Sequence, residues 1–297
     1  MNNLLVLRDT FRAVYARYGA FLRPVFKVLL AFMMLIVIEK GIGYYPMLSN
    51  PAVILAASVV CGLLPWGAIS FISGAFTAFN MFAVSPIMAA AFTCYAIIVF
   101  LLYYGYKPGT GIIISLVPLA FALKIPFLLP VVLGLSIGIY SAIPAAVGVI
   151  AWQFIHFFAV NAEAVTGSAA GSAQMTSIAG EVLTDKYMLI TLIAFVLCIV
   201  VVNIISNSSI NNSRLLSISI GTGILAVLML PGGAVLGETS IIADIIGIII
   251  SYLLSFLYVQ VFYCVDYSGT ETLSYEDDDY YYYVKAVPKV KPYRNNR

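Results

Sequence analysis

Between Ile113 and Phe158 the chain is apolar enough to lie in a bilayer, yet it carries Lys124, four prolines at Pro118, Pro126, Pro130 and Pro144, and Gly134, Gly138 and Gly148 between them. An uninterrupted membrane helix needs none of these. Proline lacks a backbone donor, and its ring clashes with the preceding turn. In hydrocarbon the carbonyls it frees must find partners inside the protein. A lysine at membrane depth costs at least about 2.5 kcal/mol unless it snorkels or pairs. Broken helices with a charge at depth are the pattern of transporter binding sites.

Hydrophobic residues make up 62% of the chain and charged residues 9%, whereas soluble domains carry about 25% charged residues. Lipid must therefore be part of the solvent. The expected fold is an all-α integral membrane protein, a bundle of about eight transmembrane helices with broken or re-entrant helices around Pro65 and Lys124–Pro126. Three segments follow: a basic amphipathic helix on the cytoplasmic face (1–23), a transmembrane domain (24–264), and a cytoplasmic tail of acidic, tyrosine and basic blocks (265–297). Ten of the fifteen Lys and Arg lie in residues 1–27 and 266–297. Basic flanks of this kind report topology, so the bilayer is the expected partner and nucleic acid is not.

In the first segment Leu4, Phe11, Tyr15, Tyr18 and Leu22 share one helical face, away from Arg12, Arg17 and Arg23. This suits either a helix lying on the leaflet or a basic flank that orients the first span. Apolar runs predict spans over 24–45, 51–74 (broken at Pro65), 85–104, 111–139 (broken at Lys124-Ile125-Pro126), 144–158, 187–205, 215–230 and 240–264. The polar connection over 161–186 has room for a short amphipathic helix through Met175, Ile178 and Val182. Eight spans put both termini on one side. With the N-terminus inside, eleven Lys and Arg lie inside, and Lys40, Lys107 and Lys186 lie outside. This predicts a multi-pass plasma-membrane protein with both termini cytoplasmic. Leu63-Leu64-Pro65 and Leu128-Leu129-Pro130 hint at a parallel internal repeat.

Lys124 is the sharpest candidate for function: it can bind an anionic group or pair with a carboxylate, or it can snorkel to an interface. Asp244, inside an apolar run, is a candidate partner, with Glu39 and Glu238 at span ends; Asp244 also reads as a first-turn helix acid. Gln153 and His156, one turn apart, suit hydrogen bonds to a neighbouring helix or polar steps along a path. Lys124, Asp244, Gln153 and His156 thus form the candidate substrate or ion pathway. Pro65, Pro118, Pro126, Pro130 and Pro144 are the candidate hinges or helix breaks. Cys61, Cys94, Cys198 and Cys264 sit in or beside apolar runs without a CxxC pair and read as packing residues. The chain has one histidine and no nucleotide-binding or hydrolase motif, so neither enzyme activity nor a cofactor or metal is expected. An ATPase driving the system would be a separate chain, and a homo-oligomer is the other assembly to expect.

In the tail, Glu276-Asp277-Asp278-Asp279 precede Tyr280, Tyr281, Tyr282, Tyr283 and Val284. Charge blocks favour disorder, and the tail is expected not to pack on the bundle. The tyrosines suit a strand added to the sheet edge of a cytosolic protein, or an anchor at the lipid interface.

Ala122-Leu123-Lys124-Ile125-Pro126 and the stretch Glu276 to Lys289 resemble a group of functionally uncharacterised polytopic membrane proteins of Gram-positive anaerobic bacteria, often given a generic permease label. The resemblance covers the whole chain and implies a permease role, but no residue roles. The expectation is a membrane transporter, or the membrane (permease) subunit of a transport system, with no substrate specified. The alternative is a non-transporting membrane scaffold that recruits a cytosolic partner through its tail.

Overall fold

The structure, a computed structural model, describes residues 2–106, 110–167, 180, 184–210, 212–236, 241–263, 271–276 and 280–286. Over these residues the chain forms α1 (Asn2–Ile42), α2 (Pro51–Leu63), α3 (Gly67–Val84), α4 (Pro86–Tyr106), α5 (Ile112–Ala122), α6 (Leu128–Ser136), α7 (Ala142–Gly167), α8 (Lys186–Ser206), α9 (Ser213–Leu236) and α10 (Ile241–Phe262). Two strands follow, β1 (Glu271–Glu276) and β2 (Tyr281–Ala286). Among the described residues, six helical stretches are long and apolar enough to cross a membrane: Val14–Ile42, Gly67–Val84, Ile139–Asn161, Lys186–Ser206, Ser213–Gly233 and Ile241–Phe262.

α1 is continuous through Pro24, so no break separates the basic segment 1–23 from the first apolar run. The break at Pro65 does more than kink a span. Gly62 near the end of α2 packs on Val28, while Ser49, just before α2, donates to Glu39 at 2.9 Å. In α3 the order is reversed: Ile69 packs with Ala31, and Asn80 bonds Glu39. α2 and α3 are therefore antiparallel, and residues 51–74 are not one interrupted span. Pro65 bars helix at Leu64, whose backbone is extended. The orphaned Leu64 carbonyl accepts from Lys27 Nζ at 2.9 Å, and the same ammonium lies 5.3 Å from the Trp66 ring centre.

The other prolines sort by position. Pro126 lies in the gap between α5 and α6, as expected. Pro130 and Pro144 occupy the first turns of α6 and α7, where no intrahelical donor is missed, so they start helices rather than break them. Pro118 sits inside an unbroken α5. It frees the Ile114 carbonyl, and Gly148 of α7 closes on that oxygen: a Cβ there would come 3.1 Å from Ile114 O and 2.7 Å from Val117 Cβ. Only glycine permits this approach, which supports a Cα–H···O contact in place of the lost bond. α9 likewise continues through Pro231 to Leu236, beyond the stop expected there, and α7 runs on to Gly167. Leu63-Leu64-Pro65 ends a helix whereas Leu128-Leu129-Pro130 opens one. The two motifs are not equivalent, and the internal repeat is not supported. Met175, Ile178, Val182, Lys107, Glu238 and Cys264 lie outside the described residues.

Pairwise contacts fix the helix directions. Val117 meets Gly148 and Phe121 stacks on Trp152, so α5 runs parallel to α7. Gly138, before α7, lies on Asn203 near the end of α8, whereas Gln153 bonds Asp185 at its start; α7 and α8 are antiparallel. Gly221 packs on Cys198 and Val202, and Gly232 on Ile190, which makes α9 antiparallel to α8. Phe127 lies against Gly247, and the Leu135 carbonyl accepts from Tyr263, so α6 runs parallel to α10. The hydroxyl of Tyr95 donates to Val147 at 2.6 Å while Met88 clusters with Phe158, which makes α4 antiparallel to α7. Odd-numbered helices run one way and even-numbered helices the other. One apolar core joins α5 to α10 around Val117, Val131, Phe195, Val202 and Leu225; another joins α1, α3, α4 and α7 around Ile38, Met81, Phe92 and Phe158.

The tail differs from the disorder expected of charge blocks. β1 and β2 pair antiparallel, with Leu273 opposite Val284 and Tyr275 opposite Tyr282. β-rich sequences on both sides of the acidic run offset the ordering cost by pairing with each other. Tyr281 to Val284 therefore stand in a strand already paired on one edge, with exposed side chains, and Tyr280 just before it is exposed as well.

Candidate functional site

α5 has 11 residues and α6 has 9, so each covers about half of a roughly 30 Å hydrocarbon core. Because they run in opposite directions, they form a helical hairpin that turns back at Leu123–Phe127. The stop is built by the backbone. The Ile125 N–H donates to the Ala120 carbonyl at 2.9 Å, and the Lys124 N–H to the Phe121 carbonyl at 3.0 Å. These are the two bonds of a Schellman motif, with Lys124 at the left-handed position (φ 59°) that glycine usually fills. Pro126 then prevents the helix from resuming at once.

Lys124 is exposed. In this turn the main chain packs against α10 while the lysine side chain is exposed. A cation just past a helix C-terminus also complements the dipole of α5. Phe127 is buried on the inner side of the turn, against Gly247 of α10. Gly247 belongs to the buried face of α10 that also presents Asp244, Ser251, Ser255 and Val259. Asp244 is 8% exposed, and it is the one acidic residue that is buried among the described residues. Phe127 at the hairpin tip therefore packs one helical turn from Asp244 along α10, while Lys124 itself is exposed.

Gln153 and His156 join neither that site nor each other. Gln153 is buried and donates to Asp185, whose other carboxylate oxygen caps α8 by accepting the Tyr187 N–H at 2.8 Å. His156 is exposed and stacks on Trp152 with 5.7 Å between ring centres. Trp152 stacks on Phe121 at 5.4 Å, and Phe121 lies 5.8 Å from Phe195. This row of rings clamps the end of α5 just before the tip.

Sequence reading missed two polar groups. A hydroxyl seam binds α3 to α5: Ser115 donates to Ser70 at 2.7 Å, Ser70 to the Gly111 carbonyl at 2.6 Å, and Ser73 lies 3.1 Å from Ser115. The second is the Gly247, Ser251, Ser255 row of α10. Its four-residue spacing of small residues was a legible signal for close helix packing.

No family model, curated protein or solved structure matches the chain.

Proposed function

We propose that the protein is a membrane transporter, or the membrane subunit of a transport system, in which the α5–α6 hairpin lines the substrate path. The observation that carries this reading is the turn at Lys124, which leaves two helix ends inside the bundle beside the buried Asp244. Irregular backbone at membrane depth is tolerated where protein buries it or where it lines a water-filled cavity, and paired half-helices at the midplane are how many transporters bind their cargo. In this reading α5–α6 re-enters from the side of both termini, and that side is cytoplasmic. Lys40 and Lys186 then lie outside, in keeping with the positive-inside bias.

The test places a cysteine at Lys124 in a cysteine-free background and applies a membrane-impermeant thiol reagent to either face of the bilayer. Modification from the cytoplasmic face alone supports a water-filled path to the tip. A cysteine that neither face can reach means the tip sits in lipid or packed protein, and the transport reading falls. The exposed tyrosine strand favours a second reading, recruitment of a cytosolic protein; loss of a bound partner on removing residues 271–297 would support it.

A further inference from the structure

We infer that the outer edge of β2 pairs antiparallel with the same edge of a second copy of this chain, which makes a four-stranded sheet in the order β1-β2-β2-β1. This is independent of the transport reading, and it gives the tyrosine strand to a second copy rather than to a cytosolic protein.

The hairpin by itself is incomplete. β1 and β2 form a two-stranded sheet, so among the described residues each strand keeps one edge unpaired. A lone two-stranded hairpin is at best marginally stable in water; three or more strands with an apolar face are needed. β2 supplies half of such a face. Side chains alternate along a strand, and Tyr282 and Val284 are 46% and 43% exposed, against 72% and 84% for Tyr281 and Tyr283. Tyr282 also meets Tyr280, with 6.3 Å between ring centres, and Tyr282 and Val284 stand opposite Tyr275 and Leu273. A two-fold copy across the β2 edge continues this face with the same residues from the other chain.

Charge selects the occupant and its direction. In sequence, Glu276-Asp277-Asp278-Asp279 precede β2, and Lys285, Lys289 and Lys291 follow its tyrosines. A strand that runs from acidic to basic is matched by an antiparallel copy of itself, because each acidic block then faces the other copy's lysines. A parallel copy would set like beside like. Opposite charges across a strand pair stabilise it, and like charges directly opposite destabilise it. β1 fails this test. Glu271 and Glu276 stand at its two ends, so a copy in either direction brings acid to acid, which is how charge protects an edge. An anionic leaflet is a poor occupant for the same reason. Because one patch meets itself, the contact closes as a dimer and does not extend into a fibre.

The experiment uses the full-length protein in its membrane, in a cysteine-free background, with Tyr281→Cys, Tyr282→Cys, Tyr283→Cys or Val284→Cys introduced singly and oxidised mildly. In an antiparallel two-fold pair a single residue faces its own copy, so the disulfide-linked dimer should peak at one position and fall off away from it. Lys285→Glu should cut the yield at that position several-fold. A co-expressed copy in which Asp277, Asp278 and Asp279 are changed to lysine should restore it, since the reversed charges match again. Absence of a dimer at every position overturns the proposal. Equal yield at all four positions does so too, because it reports parallel copies or random collision, and so does a dimer that Lys285→Glu leaves unchanged. A cytosolic protein linked to these cysteines in place of the dimer overturns it as well, and assigns the edge to that protein.

Discussion

Asn80, wholly buried in α3, donates from Nδ2 to Glu39 Oε1 at 2.7 Å, while its own Oδ1 accepts the Tyr45 N–H at 3.0 Å. One side chain thereby satisfies a carboxylate near the end of α1 and a backbone donor in the loop beyond it. Ser49 closes the group by donating to the other Glu39 oxygen. Replacing Asn80 with alanine strands both partners, and each stranded group costs about 1–3 kcal/mol. Asn80→Ala should therefore lower unfolding stability by roughly 3 kcal/mol, read as a fall in Tm of the purified protein. A loss no larger than that of an exposed control would mean that water replaces the amide.

Lys124 separates backbone from charge. A non-glycine residue in the left-handed region costs roughly 1–2 kcal/mol. Lys124→Gly should raise stability by about 1 kcal/mol, whereas the β-branched Lys124→Ile should lower it. Equal Tm values for the two variants would contradict the Schellman geometry. If the ammonium acts in transport, both variants lose activity despite their opposite stabilities.

Gly148 tests the close approach of α7 to α5. A valine there must displace Val117, and overpacking of this kind costs typically 1–3 kcal/mol. Val117→Ala should restore part of the loss in the double variant, with a coupling of about 1 kcal/mol. Strict additivity in the double-mutant cycle would rule out the contact.

The cap of α8 should be the most sensitive point of the α7–α8 junction. Asp185→Ala removes an N-cap worth about 1 kcal/mol and also strands Gln153. Asp185→Asn retains an acceptor for the Tyr187 N–H and should cost less. Chemical unfolding of the two variants reads the difference, and the reverse order would exclude the capping role.

Topology is testable residue by residue. In a cysteine-free background, cysteines at Lys40 and Lys186 should label from outside intact cells, and cysteines at Lys27 and Arg214 only after permeabilisation. Labelling of position 214 from outside would invert the bundle.

Much of the membrane character was legible because hydropathy and charge are summed along the chain and need no partner. The apolar runs that became α8 and α10 lie close to their expected bounds, α9 overran its expected stop at Pro231, and the break before Pro126 lies where the residues suggested. The role of each proline was not legible. Pro118 and Pro130 look alike as letters, yet one lies within a helix whose freed carbonyl Gly148 meets, and the other lies in a first turn that lacks nothing. Likewise, Gln153 and His156 are one turn apart on paper, but a single α-helical face is narrow enough to bury the first and expose the second.

By itself, then, the sequence determined that this chain carries apolar runs suited to a bilayer, that its helices break near Pro65 and Lys124, and that its tyrosines favour a strand. These are local properties of solvation, proline geometry and β propensity. Only the tertiary structure decided that residues 51–84 and 112–136 turn back as hairpins, that Lys124 points outward while its carbonyl meets α10, and that the tail strand finds its partner within the chain. Direction, facing and pairing depend on what packs alongside, and a turn of a few residues can continue or reverse a helix with little change in its own composition.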